Sequence, residues 1–83
     1  PVAWYNLGNS LDELGRREAA VEALEKALIF DPNYADAHFN IALVFEKLDR
    51  REHADIHWNR YLGLCPKGSS ADIARAFINE DDR

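Results

Sequence analysis

The sequence predicts an all-α chain, two helix-pair repeats closed by one further helix, and three observations predict it. Sliding the 83 residues by 34 places aligns Ala3 with Ala37, Asn6 with Asn40, Leu14 with Leu48, Arg16-Arg17-Glu18 with Arg50-Arg51-Glu52, Ala20 with Ala54, Leu28 with Leu62 and Pro32 with Pro66. These are nine identities, where average residue usage gives roughly two. Within each copy, apolar residues recur at three- and four-residue spacing, the period of a helix with one buried face. Glycine, aspartate and proline then punctuate both copies at matching places. The units are residues 1–34, 35–68 and 69–83.

Each element arises from local chemistry. Trp4, Leu7, Leu11 and Leu14 form one apolar stripe, and Leu14-Gly15 stops it, because glycine accepts the left-handed turn that closes a helix. Ala20, Val21, Leu24, Ala27 and Leu28 form a second stripe. Asp31-Pro32-Asn33 breaks that helix, since proline lacks the donor, and Asn33 is expected to cap the third helix. The second copy runs Ala35–Leu48 and Arg51–Leu64, with Asp49 in the turn and Cys65-Pro66-Lys67-Gly68 as the break. Glu22 with Lys26, and Asp12 with Arg16, have the spacing of exposed helical ion pairs. A fifth helix is expected near Ser69-Ser70, either serine capping it, with Asp72 in its first turn. Ile73, Ala74, Phe77 and Ile78 form its apolar edge. The polar stretch 79–83 is expected to fray.

Composition narrows the function classes. Hydrophobic residues make up 47% and charged residues 30%, the balance of a globular chain rather than a disordered one. A formal charge of -5 argues against nucleic acid, which wants a basic face. No apolar run approaches the roughly 20 residues that span a bilayer, and the start has no signal-peptide pattern. The single Cys65 excludes an internal disulfide framework and suits a reducing, cytoplasmic setting. With no methionine and a first residue, Pro1, set just before a helical pattern, the chain reads as a piece of a longer protein.

These residues resemble the tetratricopeptide repeat (TPR) family. Trp4, Leu7, Gly8, Leu11, Ala20, Leu24, Ala27 and Pro32 stand at the family's eight motif places, and His38, Ile41, Ala42, Phe45, Ala54, Trp58, Tyr61 and Pro66 repeat them. The resemblance covers residues 1–68, and the last helix looks like the capping helix such arrays carry. It implies an α-solenoid fragment in which Gly8 and Ala42 let paired helices approach against Ala20 and Ala54, while Trp4, Leu24, Phe45 and Trp58 fill the flanks. No single repeat buries its own apolar face, so stacking makes the core. Tyr61 replaces a small residue where a further repeat would pack, so Ala71 and Ala74 are expected to make room for it. His38 replaces the motif tryptophan and Asp55 an aliphatic residue. The second repeat is therefore expected to be the looser one, with Asp55 exposed.

What the resemblance implies about function is a right-handed stack whose concave face is lined by the first helix of each pair. That face would present Val2, Tyr5, Asn6, Asn9, Asp12 and Glu13, then Asp36, Phe39, Asn40, Leu43, Glu46 and Lys47. Asparagine amides both donate and accept, so they suit a peptide backbone; Tyr5 and Phe39 offer flat apolar area at low entropic cost. Some family members hold the C-terminal carboxylate of heat-shock chaperones in a clamp. Asn6 and Asn40 match its asparagines, but Tyr5 stands in a lysine place. Four carboxylates against one lysine make the expected ligand a neutral or basic segment of another protein. The expected role is a protein-binding module inside a larger scaffold or adaptor, taken to be bacterial. The alternatives are a structural spacer, a segment that dimerises through exposed repeat edges, or an accessory arm of a larger enzyme or regulator. No enzyme is expected of the chain itself, nor a cofactor. His53 and His57 lie one turn apart with Asp55 between them, but no third ligand joins them, so no metal is expected. Carboxylate pairs such as Asp12-Glu13 and Asp81-Asp82 lack a pocket and a partner base.

Overall fold

The periodic runs become five helices in a computed structural model that describes residues 1–80: α1 (Val2–Glu13), α2 (Arg17–Phe30), α3 (Ala35–Lys47), α4 (Arg51–Leu64) and α5 (Ser69–Glu80). The first two helices pair, the next two pair, α2 packs on α3, and α5 closes on α4. Among the described residues there is no strand.

The two tight turns are built alike. Gly15 sits at φ 81°; its N–H donates to the Asp12 carbonyl, and the Arg16 N–H reaches the Leu11 carbonyl, each at 2.9 Å. This left-handed closure satisfies the orphan carbonyls of α1. In the second pair Asp49 takes the same place at φ 59°, with Asp49 N–H to the Glu46 carbonyl and Arg50 N–H to the Phe45 carbonyl. Aspartate is one of the few non-glycine residues that visit this conformation, so the substitution is tolerated.

Two local expectations are corrected. Tyr34, not Asn33, is the N-cap of α3; the Asn33 N–H is held by the Asp31 carboxylate in a short turn. Neither serine precedes α5: the helix begins at Ser69, and the Gly68 carbonyl accepts from the Asp72 N–H. α5 runs on through Asn79 to Glu80; of the stretch expected to fray, residues 81–83, with the Asp81-Asp82 pair, lie outside the described residues.

The core is centred on the second helix pair, the reverse of the sequence expectation. α1 buries only Gly8, and Leu7 and Leu14 of its stripe stay 45% and 72% exposed. In α3 and α4, Ile41, Ala42, Ala54 and Trp58 are fully buried, with Phe45 and Tyr61 nearly so. The reason is position. The second pair is covered by α2 on one side and α5 on the other, whereas the outer edge of α1 has no helix against it among the described residues. Ala71 and Ala74 are fully buried in the same core as Tyr61, as the small residues of α5 led us to expect. Truncating a fully buried indole such as Trp58 costs about 3–5 kcal/mol. The expected helical ion pairs are replaced by other contacts. Lys26 lies over the Trp4 ring at 5.5 Å, and Asp12 turns to Lys47 and Arg17. A two-bond pair between Glu18 and Arg50, at 2.6 and 3.1 Å, ties α2 to the start of α4. Both ends are exposed, so it is worth under about 1 kcal/mol.

At Gly8 α1 comes close against α2. A Cβ there would sit 2.7 Å from Leu24 Cγ and 3.3 Å from the Ala20 carbonyl oxygen. Leu24 is fully buried and has little room to yield. Gly8→Ala is therefore expected to destabilise the fold by about 1–3 kcal/mol through overpacking, despite alanine's helix propensity, roughly 1 kcal/mol better than glycine. Urea denaturation checks it, and a stability gain would show that Leu24 relaxes freely.

Candidate functional site

The side chains predicted to face a ligand divide into three groups. The first is a polar cluster joining α1 to α3. Asn40 Nδ2 donates to the Tyr5 hydroxyl at 3.0 Å and to Asn9 Oδ1 at 2.8 Å. Lys47 Nζ reaches Asp12 Oδ2 at 2.8 Å. Tyr5 is braced by Tyr34, ring centroids 5.0 Å apart. The Asn40 amide hydrogens are thus committed within the fold, which leaves its Oδ1 as the atom able to accept from a ligand.

Beside this cluster lies a depression of about 250 Å³ lined by Asn9, Asp12, Glu13, Asn40, Leu43 and Val44. All but Val44 were expected at the ligand face. Asp12 Oδ1 is buried and accepts no hydrogen bond; Arg17 Nε lies 3.6 Å from it, close enough for charge attraction but too far to donate. Polar atoms in this state are rare because leaving them unmet is costly.

The second group has been drawn into packing. Glu46 Oε2 accepts the Trp58 indole N–H at 3.0 Å, and Phe39 meets Trp58 and Tyr61 edge-on, centroids 5.1 Å apart in each case. Both are half-buried, and the first use of each is to brace α3. The third group, Val2, Asn6 and Asp36, stands exposed outside the depression. Arg17, Tyr34 and Val44 belong to this face and were not foreseen. Arg17 and Tyr34 reach it from outside α1 and α3, and only the folded path of the chain shows that.

The charge balance of the face shifts accordingly. Lys47 and Arg17 both attend Asp12, so Glu13 and Asp36 are its exposed carboxylates. The face stays acidic, but less so than a count of carboxylates against one lysine suggests.

The histidines pair differently from their order in the sequence. His38 is buried at 5% exposure. It contacts the Pro32 carbonyl through Nε2 at 2.8 Å and His57 Nδ1 through its own Nδ1 at 3.0 Å. Since a carbonyl only accepts, His38 carries its proton on Nε2; its Nδ1 then accepts from His57 Nδ1–H. His38 thus takes Pro32 and His57 as partners rather than Asp55, which is half-buried and not exposed as expected. His53 and His57 both lie against the Phe45 ring. Among the described residues no three metal-ligating groups come together.

Burial, then the neighbouring His38, Arg60 and His53, push the His57 imidazole from its ordinary 6.5 down to about 4. The unfolded chain takes up this proton near 6.5, the folded chain only near 4. Stability attributable to His57 is therefore fully present above pH 6.5 and is lost as pH falls toward 4. Urea midpoints across that window are expected to fall more steeply for wild type than for His57→Gln. Parallel curves would remove His57 as the cause.

Comparison with known proteins is consistent with this geometry. The TPR repeat family's sequence profile matches residues 8–49. The chain is 50% identical over 40 residues to protein O-mannosyl-transferase Tmtc2 of Drosophila melanogaster, covering 48% of this chain and 4% of that protein. It is 30% identical over 81 residues to the anaphase-promoting complex subunit cut9 of Schizosaccharomyces pombe, covering 96% of this chain and 12% of that one. The crystal structure of MamA superposes with a TM-score of 0.76 at 26% identity, over 77% of this chain and 37% of MamA. The chain thus spans a small part of the length of each curated relative.

Proposed function

The chain belongs to the tetratricopeptide repeat family, and from that premise we propose that it binds a segment of another protein along the face shared by α1 and α3. Repeats of this family are generally protein–protein interaction modules. The observation that carries the finer reading is the depression between α1 and α3, with Asn40 Oδ1 left as an acceptor at its wall. An extended segment supplies a backbone N–H donor for Asn40 Oδ1 and a small apolar group against Leu43 and Val44. Glu13 and Asp36, exposed on either helix, favour a neutral or basic segment over an acidic one. On this reading the chain's part is recognition, within a larger scaffold or adaptor. The single Cys65 supports a reducing, cytoplasmic setting. Among the described residues no helix is long and apolar enough to cross a membrane.

A second reading, self-association or a spacer role, is favoured by the exposed Leu7 and Leu14 along the outer edge of α1. It predicts a mass that grows with concentration and is reset by Leu14→Glu.

The first reading is tested by titrating fluorescent decapeptides of basic, neutral and acidic composition into wild type and the Glu13→Lys, Asp36→Lys double variant. Wild type is expected to rank basic above neutral above acidic, and the variant to invert that order by tenfold or more at low salt, where exposed charges are least screened. Binding of an acidic peptide as tightly as a basic one would contradict it.

A further inference from the structure

A second depression, of about 530 Å³, opens between α2 and α4 and shares no lining residue with the first. Its apolar surface comes from Leu28, Ile29 and Ile56. Two of these are large aliphatics left in water, Ile29 at 73% and Ile56 at 59% exposure. Set among them is His57, whose ring is fixed by the relay from the Pro32 carbonyl through His38. With Nδ1 spent on His38, the other ring nitrogen, Nε2, is a lone-pair acceptor with no partner among the described residues. Burial first, then the neighbouring His38, Arg60 and His53, disfavour protonation of the ring, so this nitrogen keeps its lone pair at neutral pH. The groove is flanked by opposite charges, Glu25 from α2 and Arg60 from α4, which form no ion pair with each other. Apolar surface with a few fixed polar groups, one of them perturbed, is the usual make-up of a binding site.

We infer that this groove is a second docking site, for a partner-protein segment carrying an apolar side chain between an acidic and a basic residue. The apolar side chain covers Ile29 and Ile56. The segment's carboxylate meets Arg60, its cation meets Glu25, and one backbone N–H donates to His57 Nε2. The charge pattern selects this occupant. A wholly basic segment would meet Arg60 head-on, and a wholly acidic one would meet Glu25. The site stands independently of the α1/α3 face.

The test uses amide-resolved NMR titration with three capped pentapeptides, Asp-Ala-Leu-Ala-Lys, Lys-Ala-Leu-Ala-Lys and Asp-Ala-Asn-Ala-Lys. The mixed-charge leucine peptide is expected to bind tightest of the three at this groove and to move the signals of residues 25–29 and 56–60. Ile56→Asp is expected to abolish those shifts. Arg60→Glu is expected to move the preference at least tenfold toward the dibasic peptide. Both substitutions lie on exposed positions, so unchanged helicity is expected and is read by circular dichroism. Glu13→Lys, on the other face, is expected to leave these shifts unchanged, which separates failure here from failure of the first reading. The inference is overturned if the leucine and asparagine peptides act alike, if the shifts map to α1 and α3 alone, or if Arg60→Glu leaves the ranking unchanged. Groove shifts that grow with protein concentration in the absence of peptide would assign the surface to a second copy and overturn it as well.

Discussion

The indole of Trp58 is the piece on which the second half of the fold depends. It is fully buried, with Phe77 of α5 stacked on one face at 5.1 Å and nearly parallel. Phe39 of α3 meets it edge-on, and its N–H is satisfied by Glu46. One side chain thus joins three helices by dispersion, by ring geometry and by a hydrogen bond that removes the cost of burying a donor. α5 contributes little of its own: its packing against the rest is Ala71, Ala74, Phe77 and Ile78 on this centre. The small alanines let the helix come close, and the ring of Phe77 fills the space they leave.

The first half is held differently. α1 has almost no core, so its place is set by the close approach at Gly8 and by polar contacts to α3, with Asn40 spanning Tyr5 and Asn9 and Lys47 reaching Asp12. The same contacts that dock α1 also shape the depression, so the proposed ligand face and the joint between α1 and α3 are one structure. Such a joint is more readily adjusted than the packed centre around Trp58, since each polar contact is worth only about 1 kcal/mol.

Most of the helix plan is legible in the sequence. The 34-residue shift, the stop at Gly15 and the break at Pro32 each act over a few residues, and local chemistry decides them. The features that escape a sequence reading depend on contacts between distant residues. Nothing near His38 tells that Pro32 and His57 will meet both of its ring nitrogens, so its departure from the motif reads locally as a weakness. Glu46 and Phe39 have the helical phase of a ligand face, but Trp58, twelve residues beyond Glu46, draws both into packing. Asn9, Asp12, Glu13, Asn40 and Leu43 are recognisable as neighbours because they lie at like phases on two aligned helices. The hydrogen bonds that consume the Asn40 donors can be known only from the fold.

The central claim is that recognition takes place between α1 and α3. The most direct measurement is amide-signal mapping of the chain, isotopically labelled, with whichever neutral or basic peptide binds it tightest. The account predicts that the largest shifts fall on Asn9, Asn40 and Leu43, with the Asn40 side-chain amide among them. Largest shifts on the outer edge of α1 or on α5, with these residues unmoved, would contradict it.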